Sequence, residues 1–180
     1  MTLHSLVLAV LGLGAAIPAE AETDADALKR SVEQLRGSIG HWAVETRFLN
    51  ADGSVARSVT GTYEFSWVVP DRVVSGKSEI PELKQAAGIL FYINEAKKEI
   101  EMVSVGADGV LWIMTGALGD EVRISQEYTK PDGGQARLRF TRFNITDDSF
   151  ESRMEVTEDG GKTWKPGNHQ TFRRKDPSSR

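Results

Sequence analysis

The sequence predicts an all-β fold: an up-and-down antiparallel β-barrel of about ten strands, preceded by one short N-terminal helix. Three observations carry this. Beyond Gly37 the hydrophobic period changes from 3.6 to 2, the period of a strand with one buried face. Short turn sequences, "NADGS", "GADG", "LGD", "KPDGG", "ITDD" and "EDGG", separate the alternating runs. No link between them is long enough for the helical crossover that parallel strands require. Sequence neighbours therefore pair antiparallel. A twisted sheet of ten strands closes on itself or splits in two. Closure removes both edges and needs no long connection; a two-sheet sandwich is the alternative.

The elements follow in order. Leu6 to Pro18, "LVLAVLGLGAAIP", is apolar throughout. As a helix it would span about 20 Å, at about 1.5 Å per residue, which is short for a bilayer. Ala19-Glu20-Ala21 has the A-x-A form of a cleavage site. Residues 1–21 thus read as a secretory signal peptide with a mature start at Glu22, an uncleaved anchor being the alternative. Residues 22–36 read as a helix: Thr23 or Asp24 caps it, Leu28, Val32 and Leu35 share one face, and Gly37 ends it. Residues 37–175 form the barrel. Trp42, Val44, Thr46 and Phe48 alternate with Ala43, Glu45 and Arg47, and Tyr63, Phe65 and Trp67 with Thr62, Glu64 and Ser66. Pro81 to Gly88 is a loop or at most one helical turn. "ILFYIN", "EIEMVSV", "VLWIMTGAL", "EVRISQEY", "ARLRFTRF", "FESRMEV" and "NHQTFRR" complete the strands. Residues 176–180 read as a disordered tail.

Composition narrows the function. Charged residues make up 27% of the 180 and the net charge is −4, with no basic stripe, so nucleic acid is not an expected partner. There is no cysteine. An exported domain without disulfides relies on core and hydrogen-bonded ladder, which suits a bacterial periplasmic or secreted protein. It also lacks thiol nucleophiles and thiolate metal sites.

The motifs are structural more than chemical. "VTEDGGKTW", Val156 to Trp164, has the form of the Asp-box turn of sialidase propellers. Propellers repeat it in every blade; one copy in a short chain reads as a hairpin turn. Asp159 would accept backbone N–H groups across it and Trp164 would fold back onto the hairpin. Beyond the leader only His41 and His169 remain, both at outward parity, and neither is expected to hold haem or metal. The carboxylates, Glu45, Glu64, Glu99, Glu101, Glu121, Glu127, Glu151 and Glu155, sit where solvent faces or turns are expected. No inward pair has glycosidase spacing and no Gly-x-Ser-x-Gly elbow occurs. No catalytic residue, cofactor or metal ligand is assigned.

The inward stripe carries the functional reading. Alternation gathers aromatic and apolar residues inside, with a few polar ones at the same parity. Thr46, Tyr63, Phe65, Trp67, Trp112, Met114, Gln126, Phe140, Arg142 and Met154 are the candidate ligand-binding residues. A ten-stranded barrel is wide enough to keep a cavity. Apolar walls with a few convergent polar groups make a small-molecule site.

Gly40-His41-Trp42 opens the first strand after the helix, and Phe172-Arg173-Arg174 ends the last. A Gly-x-Trp in that place resembles the lipocalins and the wider calycin group. The resemblance implies that Trp42 closes one end of the barrel and that an arginine of the last strand lies against it. Arg174 shares the parity of Phe172 and is the better match. From about Leu35 to Lys175, "LRGSIGHW", "FYIN", "DGGKTW" and "FRR" resemble, in that order, a lipocalin-like family of exported bacterial proteins. The resemblance implies a fold and an export setting, and no activity. The expectation is an exported barrel binding a small apolar or aromatic molecule inside. A filled barrel acting as a structural or interaction module is the alternative, and an enzyme of unknown type the second. The mature chain is expected to carry no membrane-spanning helix, and the sequence leaves oligomeric state open.

Overall fold

A computed structural model describes residues 23–175. The expected signal peptide (1–21) and tail (176–180) lie outside the described residues. The chain opens with helix α1, Asp24–Ser38. Thr23 caps it, its Oγ1 accepting the Asp26 N–H at 3.2 Å. The helix runs past the expected stop at Gly37. Ser38 Oγ bonds back to the Gln34 carbonyl at 2.9 Å, and the Ile39 N–H closes the end on Arg36.

Eleven strands follow: β1 Gly40–Leu49, β2 Val55–Val69, β3 Val73–Ile80, β4 Gln85–Asn94, β5 Glu99–Gly106, β6 Leu111–Ala117, β7 Val122–Ser125, β8 Tyr128–Thr129, β9 Gln135–Phe143, β10 Ser149–Thr157 and β11 Lys165–Arg174. One 3₁₀ turn, Pro81–Leu83, links β3 to β4. Each long strand pairs antiparallel with its neighbours, β9 takes β7 on one side and β10 on the other, and β11 pairs back with β1. Ten strands thus close the ring, while β8 is a two-residue arm on β9. The predicted barrel is the observed one.

The start of β1, the end of β11 and the turns after β2, β4, β6 and β9 meet at one end. Helix α1 lies across it as a floor. Arg36 forks onto the Asp71 carboxylate at 2.9 and 2.8 Å in the β2–β3 turn. Asp24 takes Lys98 at 2.6 Å in the β4–β5 turn. Ser31 Oγ accepts the Gly119 N–H at 2.8 Å and Gln34 donates to the Asp120 carbonyl at 3.2 Å, both in the β6–β7 turn. Leu35 dips from the helix into a cluster of Trp42, Val44, Phe65, Val74, Phe150 and Phe172.

Trp42 anchors that cluster. It is 0% exposed, and its indole N–H donates to the Ser38 carbonyl at 2.8 Å. Its ring meets Phe150 edge-on at 5.0 Å, and Phe150 stacks on Phe172 at 4.1 Å. In register, Trp42 stands opposite Arg174 and Val44 opposite Phe172. The Arg174 guanidinium lies 4.3 Å from the Trp42 ring. It also donates to the carbonyls of Ile39 at 2.6 Å, Asp147 at 2.9 Å and Gly37 at 3.3 Å. Gly40 makes room: its φ is +125°, and a Cβ there would stand 2.6 Å from Arg174 Nη1.

One strand corrects the sequence reading. Alternation placed Gln126 inward, yet in β7 it is Arg123 and Ser125 that are buried, Ile124 is 37% exposed, and Gln126 is exposed. Pairing decides this. Arg123 stands opposite Phe140, which faces in, and Ile124 opposite Arg139. The ladder fixes the face, and the buried guanidinium finds hydrogen bonds at the floor.

Candidate functional site

The barrel holds a cavity of about 220 Å³. Strands β2 to β5 supply Tyr63, Phe65, Ile89, Phe91, Ile100 and Met102 to its wall; β9 to β11 supply Phe140, Phe150, Met154 and Phe172. Polar groups enter from two directions. Gln34 and Ser38 of the helix, with Arg123 and Arg142, form the floor end; Ser78, Ser104 and Gln170 lie along the walls. The arrangement is a mostly apolar chamber with a cationic floor.

Of the candidate ligand-binding residues, Tyr63, Phe65, Phe140, Arg142 and Met154 line this cavity. The others do not. Thr46 is buried behind Gln170, whose amide donates to its hydroxyl at 2.9 Å. Trp67 packs against the aromatic cluster near the floor. Trp112 meets Tyr128 of β8 edge-on at 4.9 Å, which holds its ring off the chamber. Met114 is buried between Met102 and Ser125 on the flanking strands. Gln126 is outside, as described. Parity thus gives the inner face, but neighbouring side chains decide which inner residues reach the space.

Alternation also passed over several lining residues: Ile89, Phe91, Ile100 and Met102, and above all Arg123. In "ILFYIN" both parities are apolar, so no alternation separates Phe91, inside, from Tyr92. Arg123 inverts the expected pattern and leaves no hydrophobic signal at all.

The two floor arginines differ in their partners. Arg142 forks onto Glu121, at 2.7 and 3.2 Å, donates to Ser38 Oγ at 3.1 Å, and lies 5.4 Å from the Phe150 ring. Arg123 is 4% exposed. Its Nη2 donates to the Gln34 amide oxygen at 3.1 Å and its Nη1 to the Asp120 carbonyl at 3.3 Å. Burial, with the like charge of Arg142, pushes Arg123 down to about 10, still charged at neutral pH.

Elsewhere the polar clusters face away from the cavity. Glu101, expected on a solvent face, is on the outer side of β5 but only 7% exposed. The Tyr92 hydroxyl at 2.5 Å, the Asn94 amide at 2.7 Å and Lys97 at 3.1 Å cover it. The Tyr92 bond first, then Asn94, holds its carboxyl below the ordinary range, against desolvation; Lys97 adds to this. His41 is largely exposed, whereas His169 sits between Arg47 at 2.8 Å and Glu151 at 2.6 Å on the outer face. Among the described residues no three His, Asp or Glu side chains converge as a metal site. Likewise, no helix among them is long and apolar enough to cross a membrane.

The Asp-box segment is a self-contained turn at the end opposite the helix. Asp159 accepts the Thr163 N–H at 3.0 Å and hydroxyl at 2.6 Å, and the Thr157 hydroxyl at 2.8 Å. The Thr163 hydroxyl bond, chief among these, holds its carboxyl well below the usual carboxylate range. Gly160 and Gly161 take positive φ, and Trp164 lies under the Arg139 guanidinium at 4.2 Å. Both carboxylate oxygens of Asp159 are engaged within the turn.

Fold and cavity define a class, the closed antiparallel β-barrel with an interior chamber. Among solved structures, one with a TM-score above 0.5 agrees on the fold. Rv2717c from M. tuberculosis aligns with a TM-score of 0.55 at 12% identity, over 81% of this chain and 98% of that one. The S-type phycobiliprotein lyase CPES from Guillardia theta aligns at 0.49 and 12% identity, over 87% and 99%. A de novo designed fluorescence-activating β-barrel aligns at 0.31 and 18%, over 78% and 96%. No family model matches the chain, and no curated protein matches its sequence.

Proposed function

We propose that the protein is an exported barrel that binds a small apolar or aromatic molecule in its interior. The cavity carries this reading: about 220 Å³ walled by Phe65, Phe91, Met102, Phe140 and Met154. Such a chamber, apolar with few polar groups, is the kind of space that small ligands fill. Export is supported by the apolar run Leu6–Pro18 and the Ala19-Glu20-Ala21 site.

Native mass spectrometry of protein purified from its own source tests the binding. A co-purifying small molecule that is released on denaturation is the expected result. Ala87→Leu, which puts bulk into the wall, should lower its occupancy. Ligand-free protein that also takes up no aromatic probe would favour a second reading, a structural or interaction module. That reading draws on the closely packed Trp42–Phe150–Phe172 side of the barrel. N-terminal sequencing of the exported protein should begin at Glu22; a start at Met1 would overturn the signal peptide.

A further inference from the structure

We propose that the cavity's ligand is an acid: a compact aromatic or apolar molecule whose carboxylate seats on Arg123 at the floor. This rests on the interior-binding reading and names its ligand class. Arg123 is buried in the wall, yet among the described residues no carboxylate oxygen forms an ion pair with it. Its protein partners are an amide oxygen and a backbone carbonyl, both neutral. The surrounding acids are otherwise engaged. Glu121 is taken bidentately by Arg142. Asp120 is exposed and its Oδ1 accepts the Val122 N–H at 3.1 Å, so it acts on Arg123 only through space. Both acids thus act on Arg123 only through space, and no carboxylate oxygen is hydrogen-bonded to its guanidinium.

Buried charges in folded proteins are as a rule paired or bound to an ion. The missing partner of Arg123 has one place to come from, the cavity that its side chain lines. One guanidinium without a directly bonded carboxylate offers a single seat, which suits a monoanion. The planar guanidinium fork suits a carboxylate. The chamber sets the rest of the molecule: Phe65, Phe91 and Phe140 offer ring faces, and about 220 Å³ suits one or two fused rings more than a long chain.

Two matched pairs of probes test this: benzoate against benzyl alcohol, and 2-naphthoate against 2-naphthalenemethanol, titrated calorimetrically at neutral pH. The wild-type protein should bind the acid of a pair about tenfold or more tightly than its alcohol. Arg123→Met keeps the bulk and removes the charge. It should abolish the preference while still binding the alcohol, which shows that fold and chamber are intact. Arg123→Lys should keep part of the preference. Equal binding of acid and alcohol by the wild type overturns the proposal and leaves the interior-binding reading standing. An acid preference that survives Arg123→Met overturns the assignment to Arg123. If no probe binds, interior binding fails and the proposal falls with it.

Discussion

At the helix end of the barrel, the arginine of the seam and one arginine of the cavity are treated in opposite ways. Arg174, where β11 meets β1, is partly exposed, its side chain at 31%. It is nevertheless fully occupied: three carbonyls take its N–H groups and the Trp42 ring lies against its face. Arg123, on β7, is far more buried and has neutral partners only. The first is a closing device, finished without any ligand. The second is a cation withdrawn from water with no carboxylate oxygen bonded to it, beside the cavity. Charge and shape together therefore divide the molecule into a sealed seam and a receptive floor.

The largest expected effect falls on the seam. Trp42→Ala removes a fully buried ring that contacts Phe150, Phe172 and Arg174. Large-to-small changes of this kind cost about 3–5 kcal/mol, readable from urea unfolding. A loss under about 1 kcal/mol would mean that the seam does not anchor the barrel. Arg174→Lys keeps charge but loses the planar contact and the fork, at about 1–2 kcal/mol. Gly40→Ala should do similar harm by pushing a Cβ into the guanidinium.

At the floor the sign should reverse. Arg123→Met removes a buried charge that no carboxylate oxygen bonds directly, and should raise the stability of ligand-free protein by about 1 kcal/mol. If it destabilises as Arg174→Lys does, the two arginines are not opposites.

The smallest effect concerns pH. The folded state holds Glu101 below its ordinary value of 4.5, so it binds fewer protons there than the unfolded chain. Its contribution is complete above pH 4.5 and is lost as pH falls through the lower folded value. Glu101→Gln should therefore flatten the acid limb of the stability curve below pH 4.5, and leave the arginine comparison untouched. Unchanged curvature would show that Tyr92, Asn94 and Lys97 do not act on its ionisation.

The seam was legible in the sequence because its signals are large and regular. Gly40-x-Trp42 and Phe172-x-Arg174 set aromatic bulk and period 2 at both ends of the chain, and the register followed. Turn chemistry made the Asp159 hairpin equally plain. The opposite wall was not legible. "ILFYIN" is apolar on both faces, since Tyr92 covers Glu101 outside while Phe91 faces the chamber. In "VRIS" the polar residues go in and Ile124 goes out, because the partner strand dictates the face. Hydrophobic pattern reports where water is excluded. It does not report a buried charge, so Arg123 at the cavity floor was the part it hid.

The pairing of β1 with β11 has a consequence in time. Gln170 and Thr46, joined across it, are 124 residues apart in the chain. Contacts of such separation form late, because their loop entropy is met before they return any stability. The sheet can zip from hairpin to hairpin, but the indole of Trp42 is enclosed only when the last strand arrives. Burial of Trp42 should thus report the final, slow event of folding, and until it occurs both outer strands expose open edges to any other chain nearby.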